Sequence, residues 1–156
     1  VSVLDLWRYR GASGMTAFDD LLSLGESQAS TWHIDARDKD PRGETERQLE
    51  ALRLARIHCP AVDIIAVPNA GRRTRWEVAQ RRREGMKAGA LDWVVTWNHG
   101  VAFCEWKDGS EMPTSNQSDR LDMYQRWGFH CGVFRRADSF FAWLSECGAP
   151  VLGVRL

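Results

Sequence analysis

Two apolar runs joined by a turn constrain this chain more than any other feature. "LDWVVTW" (residues 91–97) and "VAFCEWK" (101–107) flank Asn98, His99 and Gly100. β-Branched and aromatic residues favour strands, and a short Asn/Gly turn between two such runs predicts a β-hairpin. A two-residue turn at Asn98-His99, or a four-residue turn from Trp97 to Gly100, sets Asp92 opposite Glu105. A turn at His99-Gly100 sets Asp92 opposite Lys107. In either register Asp92, Glu105 and Lys107 share one face, because side chains alternate with a period of two. A three-residue turn or a bulge breaks that relation.

Directly opposed side chains have Cβ atoms about 4.5–5.5 Å apart, and like charges so placed repel. Two arrangements relieve the repulsion. A divalent cation shared by the carboxylates turns it into binding, and oxygen donors suit Mg²⁺ or Mn²⁺. Alternatively, Lys107 bridges Asp92 and Glu105 as a solvated triad.

The remaining pattern predicts a mixed α/β domain from Glu44 onward. "ETERQLEALRLARIHC" (44–59) reads as a helix with Thr45 as cap and Leu49, Leu52 and Ile57 near one face. "AVDIIAV" (61–67) reads as a strand, "PNAG" (68–71) as a turn and residues 74–89 as a helix capped by Thr74. After the hairpin, Thr114 or Ser115 caps a helix to Trp127, which Gly128 stops. "FHCGVF" (129–134) is a strand, and Asp138 or Ser139 opens a last helix through Cys147. Residues 1–43 carry several breakers and read as a loosely folded N-terminal extension, with one helix over "MTAFDDLLSLG".

The length of 156 residues suits one domain, and 44% hydrophobic with 27% charged content is that of a soluble globular protein. No apolar run approaches membrane-spanning length, so no membrane association is expected, and "VSVLDLWRYRGASG" is a poor signal peptide. Cys59, Cys104, Cys131 and Cys147 form no CxxC pair. Buried free thiols in a reducing, cytoplasmic compartment are expected, with neither a zinc site nor a disulfide framework.

Lys plus Arg and Asp plus Glu are balanced at 21 each, which argues against strong non-specific nucleic-acid binding. The distribution is uneven, however. Residues 71–87 hold seven basic and two acidic side chains, whereas residues 1–40 hold seven acidic and four basic. Arg72 and Arg73 precede a predicted helix N-terminus, a favourable place for phosphate. Asn69 and Lys87 flank the same basic stretch and complete the set of expected nucleic-acid contacts. Arg81, Arg82 and Arg83 are consecutive, so a helix fans them over different faces.

The runs "VPNAGRRTRWEVAQRRREGMKAGALDWVV", "VAFCEWK" and "TSNQ" together resemble the VRR-NUC family of the PD-(D/E)xK nuclease superfamily. These domains are frequent in phages and occur in DNA-repair enzymes. The likeness covers roughly residues 44–147, and the domain is taken as 44–156. It implies a restriction-endonuclease-like fold, a mixed central sheet flanked by helices. By the same resemblance Asp92 and Glu105 are metal ligands, the Trp106 carbonyl is a further ligand, and Lys107 is the motif lysine. Gln117, ten residues past the lysine, matches the glutamine at the start of the following helix. Its other reading is a helix-start hydrogen bond. Glu46 in "ERQL" is the best match to a glutamate on the first helix, a third metal carboxylate acting directly or through water, with Glu44 and Glu50 as alternatives. Leu91 departs from the family by replacing the proline before the aspartate.

What the resemblance implies is a DNA nuclease dependent on Mg²⁺ or Mn²⁺, in the cytosol of a bacterium or a phage-infected host. Lacking a recognition module, it is expected to select branched, junction or flap DNA in phage replication or repair. Related phage domains can work as dimers, so a homodimer is expected as well. The alternative is a non-catalytic nucleic-acid-binding domain that retains the fold.

Overall fold

The computed structural model describes residues 32–68, 75–83, 85, 87 and 89–153. The expected helix over "MTAFDDLLSLG", the turn residue Asn69, the basic pair Arg72 and Arg73, and the cap Thr74 lie outside the described residues.

Strands β1 (His33–Ile34), β2 (Asp63–Ala66), β3 (Trp93–Trp97), β4 (Gly100–Trp106) and β5 (His130–Phe134) form one sheet in the order β1-β5-β4-β3-β2. The helices are α1 (Glu44–His58), α2 (Arg75–Arg83), α3 (Ser115–Arg126) and α4 (Ala137–Glu146). From Glu44 the element order is the one the sequence predicts. β2, β3 and β4 run antiparallel, while β5 lies parallel to β4 and β1 parallel to β5. A parallel neighbour needs a crossover, and α3 supplies it between β4 and β5.

Alternation along β4 divides the core into two. Trp93, Val95, Ala102, Cys104, Trp106 and Phe134 pack with residues of α1 and α4. Cys131 and Val133 pack with Leu91, Leu121 of α3, Phe103 and Tyr124 in a second cluster. Helices therefore cover both faces of the sheet. The first cluster is dense in rings: Trp93 and Trp106 lie 4.9 Å apart, and Phe140 is 5.5 Å from the first and 5.6 Å from the second.

α1 meets the sheet with only part of the face the sequence suggests, since Leu52 packs against the core. Leu49 and Ile57 are 61% and 60% exposed, and the buried residues are Arg47, Ala51 and Ala55. The bulk in this layer comes from indole and phenyl rings, so the facing helix contributes small side chains. The helix ends also shift. α1 is capped at Gly43 rather than Thr45, and α4 starts at Ala137. The Asp35 carboxylate serves α4 from outside: Oδ2 accepts from Arg136 N at 3.2 Å and from the Ser139 hydroxyl at 2.6 Å. Anionic groups are favourable at a helix N-terminus. Part of the stretch read as a loose extension thus joins the fold, since β1 precedes Glu44 and Asp35 N donates to Val133 O at 3.0 Å. Cys59, Cys104, Cys131 and Cys147 are all free thiols. Among the described residues no helix is long and apolar enough to cross a membrane.

Trp106 is fully buried on the central strand of the sheet. Trp106→Ala is expected to cost about 3–5 kcal/mol in denaturant unfolding. Leu49→Ala, on the exposed side of α1, is expected to stay within about 0.5 kcal/mol of wild type.

Candidate active site

The hairpin closes through Trp97↔Gly100, so the turn is Asn98-His99. His99 takes a φ of 69°, the left-handed conformation the tight turn requires. The ladder runs on to Trp93↔Cys104, and one further step in the same register sets Asp92 against Glu105. Asp92 lies just before β3, and its Oδ2 accepts the Trp106 N–H at 2.8 Å. The carboxylate therefore completes the backbone bonding of β4 where β3 ends. Trp93 and Trp106 point to the opposite face, into the aromatic core.

Glu105 and Lys107 are buried at the end of β4, 1% and 6% exposed. Lys107 Nζ donates to Glu105 Oε1 at 2.7 Å, and Gln117 Nε2 donates to the same oxygen. Gln117 also closes the start of α3: its Oε1 accepts from Thr114 N at 2.8 Å, while its N–H donates to Thr114 Oγ1 at 3.4 Å. The two sequence readings of Gln117 are thus compatible, and one side chain does both. Glu105 Oε2, by contrast, is buried with no hydrogen-bond partner among the described residues.

The carboxylate that α1 brings to this cluster is Glu44. Its Oε2 lies 3.9 Å from Lys107 Nζ. Glu46, preferred in the sequence reading, instead accepts the Gly43 N–H at 3.1 Å. The physical reason is the cap. With Gly43 as N-cap, Glu46 falls at the third helical position, where a glutamate reaches back to the cap amide. Glu50 is taken by Arg42 at 2.5 Å. Lys87 is exposed beyond the end of α2.

The electrostatics follow from burial and like charge. Burial first, and the Asp92 charge next, push the Glu105 carboxyl up to about 7 against the pull of Lys107. Burial and Asp92 likewise raise the Glu44 carboxyl. Burial alone would lower the Lys107 ammonium, but its bond to Glu105 and the charges of Glu105, Glu44 and Asp92 carry it above the usual lysine range. Lys107 is therefore a cation at neutral pH.

An unpartnered buried oxygen on Glu105, facing an excess of carboxylates, fits a hard cation. Among the described residues no three His, Cys, Asp or Glu side chains are gathered as a ready ligand set. The strand register sets two carboxylates, Asp92 and Glu105, opposite each other at this point. Such a sparse set suits Mg²⁺, which keeps several of its waters.

Without metal, the raised Glu105 carboxyl makes stability depend on pH. Its ordinary value is 4.5 and its folded value about 7. Between these the folded state holds the proton more tightly than the unfolded chain, so stability falls as pH rises through the window. Metal-free protein is expected to lose on the order of 3 kcal/mol from this group between its ordinary and its raised titration point. Glu105→Gln is expected to flatten that slope, as read by melting curves across the pH range.

No family model matches the sequence, and no curated protein matches it. Among solved structures, the chain is similar to a VRR_NUC domain protein, with 21% sequence identity and a TM-score of 0.56. The match covers 69% of this chain and 89% of that one. At this identity the likeness is one of fold, a mixed sheet flanked by helices.

Proposed function

We propose that the protein is a metal-dependent nuclease that hydrolyses phosphodiester bonds in DNA. The observation that carries this reading is the buried Glu105, whose Oε2 has no hydrogen-bond partner among the described residues while Oε1 is held by a lysine and a glutamine. The cost of burying a charged pair makes such a cluster a poor stability device, so its chemistry is the better account of it. The fold likeness to a VRR_NUC domain protein points the same way.

Asp92, Glu105 and the Trp106 carbonyl would hold Mg²⁺ or Mn²⁺. In an extended strand the N–H and C=O of one residue point to the same side, and the Trp106 N–H is directed at Asp92. Bound there, the ion supplies a lowered pKa for water and charge stabilisation on phosphate. Lys107 orients the attacking water or neutralises charge on the phosphate, a role its protonated state suits better than that of general base. Gln117 fixes the rotamer of Glu105 by holding Oε1. Glu44 takes the part of the helix carboxylate that the resemblance gives to Glu46. Asn69, Arg72, Arg73 and Lys87 contribute phosphate contacts, which bring affinity without base reading. Branched, junction or flap DNA is the favoured substrate, and a homodimer would cut both strands of a junction. The setting is phage replication or repair in the bacterial or infected-host cytosol.

Cleavage of branched and linear DNA with Mg²⁺ or Mn²⁺ tests the reading. Lys107→Ala and Asp92→Asn are each expected to lose about 100-fold or more in rate. A wild type that binds DNA but cuts none with either metal would reject hydrolysis and favour a binding domain that keeps the fold.

A further inference from the structure

Two arginines outside the cluster, Arg47 and Arg135, are each 1% exposed. The guanidinium of Arg135 donates to main-chain oxygens rather than to carboxylates. Nε donates to Asp108 O at 3.1 Å, Nη1 to Asp35 O at 2.6 Å and Nη2 to Glu111 O. Burying a guanidinium is costly, and an apolar residue would fill the space without that cost. What an apolar residue lacks is a rigid fork that grips several carbonyls in fixed directions.

The carbonyls it grips belong to the connection that matters. Asp108 follows Lys107, and the irregular stretch 107–114 leads directly to the cap of α3 and Gln117. Lys107 is tied to the sheet by its own N–H, which donates to Phe134 O at 3.0 Å. From there to Thr114 the chain has no regular structure. Yet Lys107 Nζ and Gln117 Nε2 must converge on one oxygen, Glu105 Oε1.

Arg47 extends the same system to α1. It sits one turn after Glu44, and its Nη1 donates to Arg135 O at 2.7 Å and to Asp38 Oδ2 at 2.9 Å. Its Nη2 reaches Asp38 Oδ1 at 2.8 Å and Asp40 O at 2.9 Å, and Nε reaches Arg42 O at 2.9 Å. The strap of residues 35–42 is thereby pinned, and it presses on the loop: Asp38 N donates to Gly109 O at 3.0 Å. A Cβ on Gly109 would stand 2.6 Å from Asp38 O, so only glycine admits this approach.

We propose that Arg135, backed by Arg47 and the strap, is the positioning residue that sets Lys107 and Gln117 around Glu105. The assignment rests on the nuclease reading above. Misplacing a catalytic group by about 1 Å costs on the order of 100-fold in rate, so a loop without regular structure needs such an anchor.

Arg135→Lys keeps the charge but cannot grip three carbonyls at once. It is expected to lower kcat at least about 10-fold while KM for DNA stays within about 2-fold. In metal-free protein, hydrogen exchange is expected to quicken across residues 107–117 and stay unchanged in β3 and α4. Gly109→Ala, which displaces the strap without touching the guanidinium, is expected to give the same split. Wild-type kcat in both variants would overturn the proposal, as would exchange that quickens uniformly, because that marks general destabilisation. A wild type that cuts no DNA marks instead the failure of the nuclease reading, and the positioning role falls with it.

Discussion

The two-residue turn at Asn98-His99 is the constraint on which the candidate site depends. It fixes one register for β3 and β4, and that register carries Asp92 to Glu105. It also fixes which face each residue takes. Trp93, Cys104 and Trp106 are committed to the aromatic layer, and Glu105 and Lys107 to the other side. The Asp92 carboxylate then bonds the Trp106 amide, so a prospective ligand is at the same time part of the strand's backbone bonding.

A buried acid and base in contact are usually a burden on stability, because desolvation offsets most of their attraction. Here the imbalance is larger still. Glu105 and Glu44 lie 2.7 Å and 3.9 Å from one lysine, the Asp92 charge is felt there too, and the Glu105 carboxyl is held up to about 7. This arrangement stands at the end of the central strand, with Trp106 buried among aromatic rings on the opposite face. A rigid core behind a strained charge cluster is how preorganised sites are built.

Most of this was legible in the sequence because it depends on short-range rules. Alternation and turn chemistry gave the hairpin and its shared face, and Thr114 with Gln117 read as a helix start. The helix carboxylate was harder. The resemblance pointed to Glu46 through "ERQL", but behind the Gly43 cap Glu46 reaches back to the cap amide, and Glu44 is the one near Lys107. Leu49 and Ile57 of α1 lie outside the core for another reason, while Leu52 packs against it. Pattern reading credits large aliphatic residues with burial, whereas a layer filled by tryptophan and phenylalanine asks its neighbour for alanine. Arg47, Arg135 and Asp35 were not visible at all, since nothing local in the sequence distinguishes an arginine that grips remote carbonyls from one in solvent.

The strict alternation along β4 has a consequence for how this chain tolerates change in length. One residue inserted between the turn and Glu105 would exchange the two sets of side chains, driving a carboxylate and an ammonium among indoles and turning Trp106 toward the acids. A two-residue insertion would preserve the facing while sliding Glu105 past Asp92. Indels that surface loops absorb are therefore closed to this hairpin.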